Sequence, residues 1–171
     1  MNNPRLQDYE TRHRCRLIGS ISHGSGQDGF VLRSDRLTAV KFFDRPERYQ
    51  RELEVYRILQ AKGIGLIEEH NVPRLRDADD TLLAIEMSIV ERPFVLDFAG
   101  AKLPHEVPDF DDEIMAEHHE HLRELFGDRW TDALHVAEMF RLATGFTLLD
   151  IHPGNIAFAD AGEADVSSPG Q

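Results

Sequence analysis

Segments with the pattern of β-strands dominate the first part of the chain, and segments with the pattern of helices dominate the second. Residues 15–43 alternate short apolar runs with Gly and Ser-Asp turns, which is typical of twisted antiparallel strands joined by tight loops. A second strand pair is predicted over residues 75–87. Helices are predicted over residues 46–63, about 112–126 and about 131–144, ended by Gly63, Gly127 and Gly145. Strands followed by helices predict an α+β fold.

The composition changes after Phe98, where prolines and an acidic run at residues 109–113 are typical of a connection between lobes. We therefore predict one domain of two lobes. The first lobe, residues 1–98, carries a small antiparallel sheet with one helix. The second, residues 99–171, is a reduced helical lobe.

Length, charge and cysteine content exclude several classes of protein. A chain of 171 residues with 41% hydrophobic content can bury a core, and its net charge of −12 argues against binding to nucleic acid or an anionic membrane. The single Cys15 excludes an internal disulfide framework, and the polar first residues lack the apolar core of a signal peptide. We expect a cytoplasmic protein with no membrane or nucleic-acid partner.

A glycine-rich run, GSGQDGFV, begins at Gly24 and fits the pattern G-x-G-x-x-G-x-V through Gly26, Gly29 and Val31. Glycines in this pattern let backbone amides approach phosphate oxygens closely. An ordinary hairpin turn is one alternative. A dinucleotide-binding motif, with Asp44 twenty residues after Gly24, is another, but it needs a helix directly after the glycines, whereas the sequence there has the pattern of a strand.

One lysine, Lys41, lies in the otherwise apolar segment LTAVKFF, directly after Ala39 and Val40. A buried ammonium group is costly unless it meets an anion or a carboxylate. The alternative is a solvent-facing lysine on an edge strand. Burial would require a partner on a neighbouring element.

The helix predicted over residues 46–63 offers three glutamates as partners for Lys41. At about 100° per residue, Glu52 falls inside the apolar arc of the helix, whereas Glu47 and Glu54 project from the opposite side. The arc is formed by Tyr49, Leu53, Tyr56 and Leu59. We therefore predict a pair between Lys41 and Glu52; a partly exposed glutamate at the edge of the arc is the alternative.

Near the end of the sequence, the run LLDIHPGNI places Asp150 five residues before Asn155, with Pro153 and Gly154 between them. This arrangement resembles the catalytic loop of kinase-like phosphotransferases, and the resemblance implies a base at Asp150 and a metal ligand at Asn155 on either side of a reacting phosphorus. The alternative is that both residues only brace a tight Pro-Gly turn.

Taken together, these motifs resemble the protein kinase-like superfamily, which includes protein kinases and aminoglycoside phosphotransferases, and the resemblance spans most of the chain. It implies an ATP and Mg²⁺ site, with Asp150 accepting or orienting the proton of an attacking hydroxyl and Asn155 holding magnesium. His152 makes the loop more similar to small-molecule phosphotransferases, because protein Ser/Thr kinases typically carry lysine there. The residues implied to bind ATP are Gly24, Gly26, Gly29, Val31, Ala39, Lys41 and Glu52, together with Glu86 and Ser88 at the hinge that holds the adenine.

Two departures from the family pattern leave two alternatives, an active phosphotransferase and a pseudokinase. Leu148 stands where the family has histidine, and Ser168 stands where an Asp-Phe-Gly motif should supply a second magnesium ligand after a hairpin turned at residues 160–163. Asp160 or Asp165 could substitute; without a substitute we expect weakly held magnesium and slow phosphoryl transfer. The sequence also ends here, so we expect no activation segment. An ATP-dependent phosphotransferase acting on a hydroxyl acceptor, and a pseudokinase that binds a protein partner without catalysis, both remain open.

Overall fold

A computed structural model describes residues 3–21 and 29–159 of the chain, and it has an α+β architecture, as predicted. The described helices are α1 (Pro4–His13), α2 (Pro46–Ala61), α3 (Asp112–Phe126) and α4 (Trp130–Thr144). The described strands are β1 (Leu17–Ser20), β2 (Gly29–Ser34), β3 (Thr38–Phe43), β4 (Leu66–Ile67), β5 (His70–Asn71), β6 (Leu75–Asp79), β7 (Ala84–Ser88), β8 (Phe94–Val95) and β9 (Ile156–Ala157).

Five strands form an antiparallel sheet in the order β1-β2-β3-β7-β6. The strand segments predicted within residues 15–43 and 75–87 thus belong to one sheet. Strand β3 lies between β2 and β7, with Lys41 opposite Val31 on one side and Ile85 on the other. Because successive side chains of a strand point to opposite faces, Ala39, Lys41 and Phe43 share one face of the sheet.

Both faces of this sheet are covered by helices. On one face, Ala39, Phe43 and Ile85 join the main buried cluster, which continues through α2 to Phe140 of α4. On the other face, Val40 and Phe42 pack with Tyr9 of α1 in a second buried cluster. The ring centroids of Tyr9 and Phe42 lie 5.3 Å apart.

Helix α1 was not predicted from the sequence, although its first residues carry standard start signals. The side chain of Asn3 accepts a hydrogen bond from the backbone N–H of Arg5, and Pro4 occupies the first turn. The Arg5 guanidinium donates to the backbone oxygens of Leu82 and Leu83. These bonds attach α1 to the sheet.

The three helices that were predicted begin and end close to the expected residues. Helix α2 ends at Ala61, and Gly63 follows with a φ of 66°, a left-handed conformation that glycine adopts at low cost. Gly145 follows α4 with a φ of 84°. No helix in the described part of the chain is long and apolar enough to cross a membrane.

A second, smaller sheet has the order β4-β5-β8-β9 and joins distant parts of the chain. Strand β8 pairs antiparallel with β9, with Phe94 opposite Ala157 and Val95 opposite Ile156. The hairpin predicted after β9, with its turn at residues 160–163, lies outside the described residues. Strands from both sides of the predicted lobe boundary at residue 98 therefore belong to one sheet.

Candidate functional site

Lys41 is buried in the centre of the first sheet and contacts two carboxylates. Its side-chain ammonium, Nζ, lies 2.7 Å from Glu52 Oε2 and 2.8 Å from Asp97 Oδ1. The residue is 6% exposed, and β3 has a neighbouring strand on each side, so the alternative of a solvent-facing lysine on an edge strand is wrong. The predicted pair between Lys41 and Glu52 is confirmed.

Glu52 faces inward because it lies within the apolar arc of α2, as the helical periodicity predicted. It is 1% exposed and sits among the buried Leu53, Tyr56 and Tyr49, so the alternative of a partly exposed glutamate is wrong. A buried carboxylate without a cation would be strongly destabilising. Lys41 supplies that cation across the space between β3 and α2.

Asp97 is the site residue that sequence analysis missed. It follows β8 with a φ of 65°, and its side chain is 36% exposed, far more than that of Glu52. The next residue, Phe98, is fully buried and stacks against Phe140 of α4, with ring centroids 5.0 Å apart. The buried Phe98 thus fixes the backbone at the point where Asp97 meets Lys41. The run Asp97-Phe98-Ala99-Gly100 was the signal that could have revealed it.

The two carboxylates determine the protonation of Lys41. Burial alone would lower the pKa of Lys41, but the charges of Glu52 and Asp97 and the hydrogen bonds to both outweigh burial and raise it. Lys41 is therefore a fixed positive charge at neutral pH. The neighbouring Tyr56 has a pKa raised well above its usual value, first by burial and then by the same two carboxylates.

The segment that contains Asp97 runs beside the segment that contains Asp150. The backbone N–H of Leu96 donates to the carbonyl of Asn155 at 2.9 Å. Further along, Lys102 and Thr147 exchange two backbone hydrogen bonds, at 2.9 and 2.7 Å. These hydrogen bonds connect the two segments at two places. Asp97 and the loop from Asp150 to Asn155 therefore lie at one end of the second sheet.

The loop at residues 150–155 presents one exposed carboxylate on a buried support. Asn155 is 4% exposed, and its amide Nδ2 donates to the backbone carbonyl of Asp150 at 3.0 Å. Asn155 thus braces the turn that contains Pro153 and Gly154, in agreement with the alternative of a structural Pro-Gly turn. The Asp150 side chain has no part in that brace and is 74% exposed. Leu148, where the family has histidine, is buried at 6% exposure and belongs to the main cluster.

Only part of the predicted glycine-rich loop can be located. Gly24 and Gly26 lie outside the described residues, whereas Gly29 begins β2 opposite Phe43. The dinucleotide-binding alternative is wrong, because a strand rather than a helix follows Gly29. Val31, which is partly buried, and Ala39 lie on the same face of the sheet as Lys41, so these three predicted residues are brought together.

The side chains of the two predicted hinge residues, Glu86 and Ser88, contact α1, other parts of the first sheet and its loops. Glu86 pairs with Val40 in the sheet, so its side chain points to the face opposite that of Lys41, where it accepts hydrogen bonds from Tyr9 at 3.1 Å and Thr38 at 2.6 Å. The prediction that Glu86 and Ser88 lie at a hinge that holds an adenine stays a prediction. Ser88 accepts a hydrogen bond from the backbone N–H of Arg74 at 2.8 Å.

The predicted metal ligands are only partly within the described residues. Ser168, Asp160 and Asp165 lie outside them. Among residues 3–21 and 29–159, no three His, Cys, Asp or Glu side chains are grouped so as to hold a metal. Magnesium commonly takes one or two protein ligands and completes its shell with phosphate oxygens and water, so it does not require a group of three such side chains.

Comparisons with known proteins give no relative for this arrangement. No family model matches the chain. No curated protein matches it. No solved structure matches it either.

Proposed function

We propose that this protein binds ATP with magnesium and transfers the γ-phosphate to a hydroxyl acceptor, using Lys41, Glu52, Asp97, Asp150 and Asn155. The observation that carries the proposal is the position of Lys41 between a buried carboxylate and a partly exposed one. Replacing a buried ion pair with apolar residues of similar volume often leaves stability unchanged or increases it, so stability alone does not account for this pair and a functional role is favoured.

The two carboxylates around Lys41 differ in a way that suits phosphate binding. Glu52 is sealed in the core and can serve to hold the ammonium in place. Asp97 is more than one-third exposed, so it remains accessible to a ligand from the solvent side. An ammonium group fixed in this way is a suitable partner for ATP phosphates.

The donors near Lys41 fit a magnesium ion shared with phosphates. Asp97 offers a carboxylate, and Asn155, on the adjacent segment, offers an amide oxygen because its bond to Asp150 uses Nδ2. Magnesium prefers such oxygen donors and would neutralise charge on the phosphates during transfer. Asp97 would then supply the carboxylate that the sequence pattern lacked at Ser168.

Asp150 is proposed to accept or orient the proton of the acceptor hydroxyl. Its exposed carboxylate is accessible to an incoming acceptor, and Asn155 holds its backbone through the carbonyl. A base needs this access, since it must come within hydrogen-bond reach of the hydroxyl. Leu148 packs in the core beneath the loop, so an apolar contact replaces the polar support of the family pattern.

Thermal unfolding with ATP, with and without magnesium, tests the nucleotide site. A ligand present at 100 times its Kd stabilises the folded state by about 2.7 kcal/mol. We expect ATP to raise the unfolding temperature in a magnesium-dependent way in wild type and in the control Asp128→Asn. This control changes an exposed aspartate in the turn before α4. Asp97→Asn should lose the magnesium-dependent part of the rise.

Lys41→Met should lose the ATP response altogether. Because this change breaks the buried pair with Glu52, Lys41→Met/Glu52→Leu is measured beside it to separate loss of ligand binding from loss of folding. No rise in wild type at millimolar ATP would overturn the nucleotide site. If ATP raises the unfolding temperature but no ADP forms with any acceptor tested, the pseudokinase-type binding module would be favoured.

A further inference from the structure

The ring of His152 lies between the backbone of Gly154 and the carboxylate of Asp150. Its Nε2 is 3.7 Å from Asp150 Oδ2, and its Nδ1 is 3.0 Å from the backbone nitrogen of Gly154. Both side chains are well exposed, at 41% for His152 and 74% for Asp150. An exposed pair of this kind contributes little to folding stability, so stability does not explain the arrangement.

The contact with Gly154 selects one tautomer of the His152 ring. The backbone N–H of Gly154 is a donor, so Nδ1 must offer a lone pair. The proton of the neutral ring is therefore on Nε2, on the side that faces Asp150. A proton on Nδ1 would remove the acceptor that Gly154 uses.

Gly154 leaves the space that the His152 ring occupies. A Cβ atom added at Gly154 would lie 2.7 Å from Cε1 of His152 and 2.9 Å from its Nδ1, closer than real Cβ contacts. The backbone of Gly154 is not in the left-handed region, so alanine fits the backbone and meets only the ring. A Gly154→Ala change is thus a way to displace the ring while the histidine stays in the sequence.

We propose that His152 is a positioning residue: locked by Gly154 with its proton on Nε2, it orients the Asp150 carboxylate toward the acceptor hydroxyl. This inference rests on the proposed function for its catalytic consequence. The contact of the ring with the Asp150 carboxylate is through Oδ2, at 3.7 Å from Nε2, which leaves Oδ1 for the hydroxyl. Positioning of this kind lowers the barrier because the base is aligned before the reaction begins.

Nuclear magnetic resonance tests the locked ring without any turnover. In ¹⁵N-labelled protein, long-range ¹H–¹⁵N correlation at a pH where the ring is neutral should show His152 almost entirely with its proton on Nε2. Gly154→Ala should move the signals toward the mixture seen for a free imidazole. A proton mainly on Nδ1 in wild type, or spectra that Gly154→Ala leaves unchanged, would overturn the proposal.

The Asp150 side-chain carboxyl ¹³C signal gives a second readout that needs no activity. His152→Asn keeps an acceptor near Gly154 but has no donor that reaches Asp150, so this signal should shift. The control His105→Asn, in an exposed turn before α3, should leave it in place. An Asp150 signal unaffected by His152→Asn would contradict the positioning role.

Steady-state kinetics test whether the His152 ring contributes to catalysis. His152→Asn and Gly154→Ala should each lower kcat by about tenfold to a hundredfold with KM for ATP unchanged, and the double variant should be no worse than either one. His152→Gln, which keeps a donor at the reach of Nε2, should recover most of the loss. Additive losses, or no recovery by His152→Gln, would count against positioning.

The outcomes separate the two proposals. A wild-type protein with the expected tautomer and Asp150 signal but no phosphoryl transfer would contradict the proposed function and leave the orienting contact standing. A wild-type protein that transfers phosphate but lacks the expected tautomer would contradict the role of His152 and leave the proposed function standing.

Discussion

Asp97 Oδ1 lies 2.8 Å from Lys41 Nζ, although the two residues are 56 positions apart in the chain. In the kinase-like pattern, a second metal-binding carboxylate is expected about a dozen residues after Asn155. Asp97 precedes Asn155 in the chain and lies two residues after β8, which pairs antiparallel with β9. Asp97 thus lies beside the loop at residues 150–155, although it comes before this loop in the chain. The kinase-like pattern places its second metal-binding carboxylate after the loop.

Removal of Lys41 should destabilise the fold. Lys41→Met removes the ammonium group that contacts the fully buried Glu52, and removing one partner of a comparable buried pair costs about 3–5 kcal/mol. Adding Glu52→Leu should recover most of that loss, because the double variant buries no charge there; Asp97, which is partly exposed, can turn to water. Urea unfolding measures both. A single variant within about 1 kcal/mol of wild type would show that Lys41 does not stabilise the buried Glu52 carboxylate.

Substitution of the exposed carboxylate at Asp150 should separate binding from chemistry. Asp150→Asn should change the free energy of unfolding by no more than about 0.5 kcal/mol, because the side chain is 74% exposed. It should lower phosphoryl transfer by about a hundredfold or more. The ATP- and magnesium-dependent rise in unfolding temperature should persist. Transfer at the wild-type rate would remove Asp150 from the mechanism.

The hydroxyl of Tyr9 should contribute to the attachment of α1. It donates to the buried Glu86 at 3.1 Å, and burial together with the Glu86 charge raises the pKa of Tyr9. Tyr9→Phe removes a hydrogen bond to a buried carboxylate and should cost about 1–3 kcal/mol.

Tyr49→Phe is the matched control, since Tyr49 donates at 2.6 Å to Asp80, which is exposed and can be hydrated. This change should cost less than about 1 kcal/mol. Both free energies are measured by urea unfolding. Equal costs for the two variants would mean that Glu86 finds another donor when Tyr9 is removed.

His70 should make the fold less stable in acid. Neither ring nitrogen has a hydrogen-bond partner among the described residues, and the ring packs edge-on against Phe158. Burial and then the nearby Arg129 lower the pKa of His70 from its ordinary value of 6.5, while Glu69 and Glu68 oppose the change. As pH falls below 6.5, the unfolded chain takes up a proton that folded His70 does not, so stability falls.

His70→Phe should remove this contribution. The difference in unfolding free energy between wild type and His70→Phe, measured from about pH 7 down to about pH 5, isolates it from the other histidines. Wild type should lose stability faster than the variant over this range. Parallel curves would show that His70 takes up its proton equally in the folded and unfolded states.

Local periodicity was sufficient to predict several elements of this fold. The helical pattern around Tyr49 and Leu53 predicted both α2 and the inward direction of Glu52, because a helix repeats every 3.6 residues regardless of its neighbours. Helix α1 was missed despite the start signal at Asn3 and Pro4, since within the helix itself only Tyr9 is buried and the apolar stripe is short.

Elements with a local cause could be predicted from the sequence: the strand around Lys41, helix α2 with Glu52 on its buried side, and the turn between Asp150 and Asn155. Lys41 and Glu52 could be paired from the sequence because they lie only 11 positions apart, on consecutive elements. The tertiary structure alone decided that β8 pairs with β9 and that Asp97 reaches Lys41. Strand pairing between distant segments depends on which surfaces the whole chain buries together, and no local spacing encodes that choice.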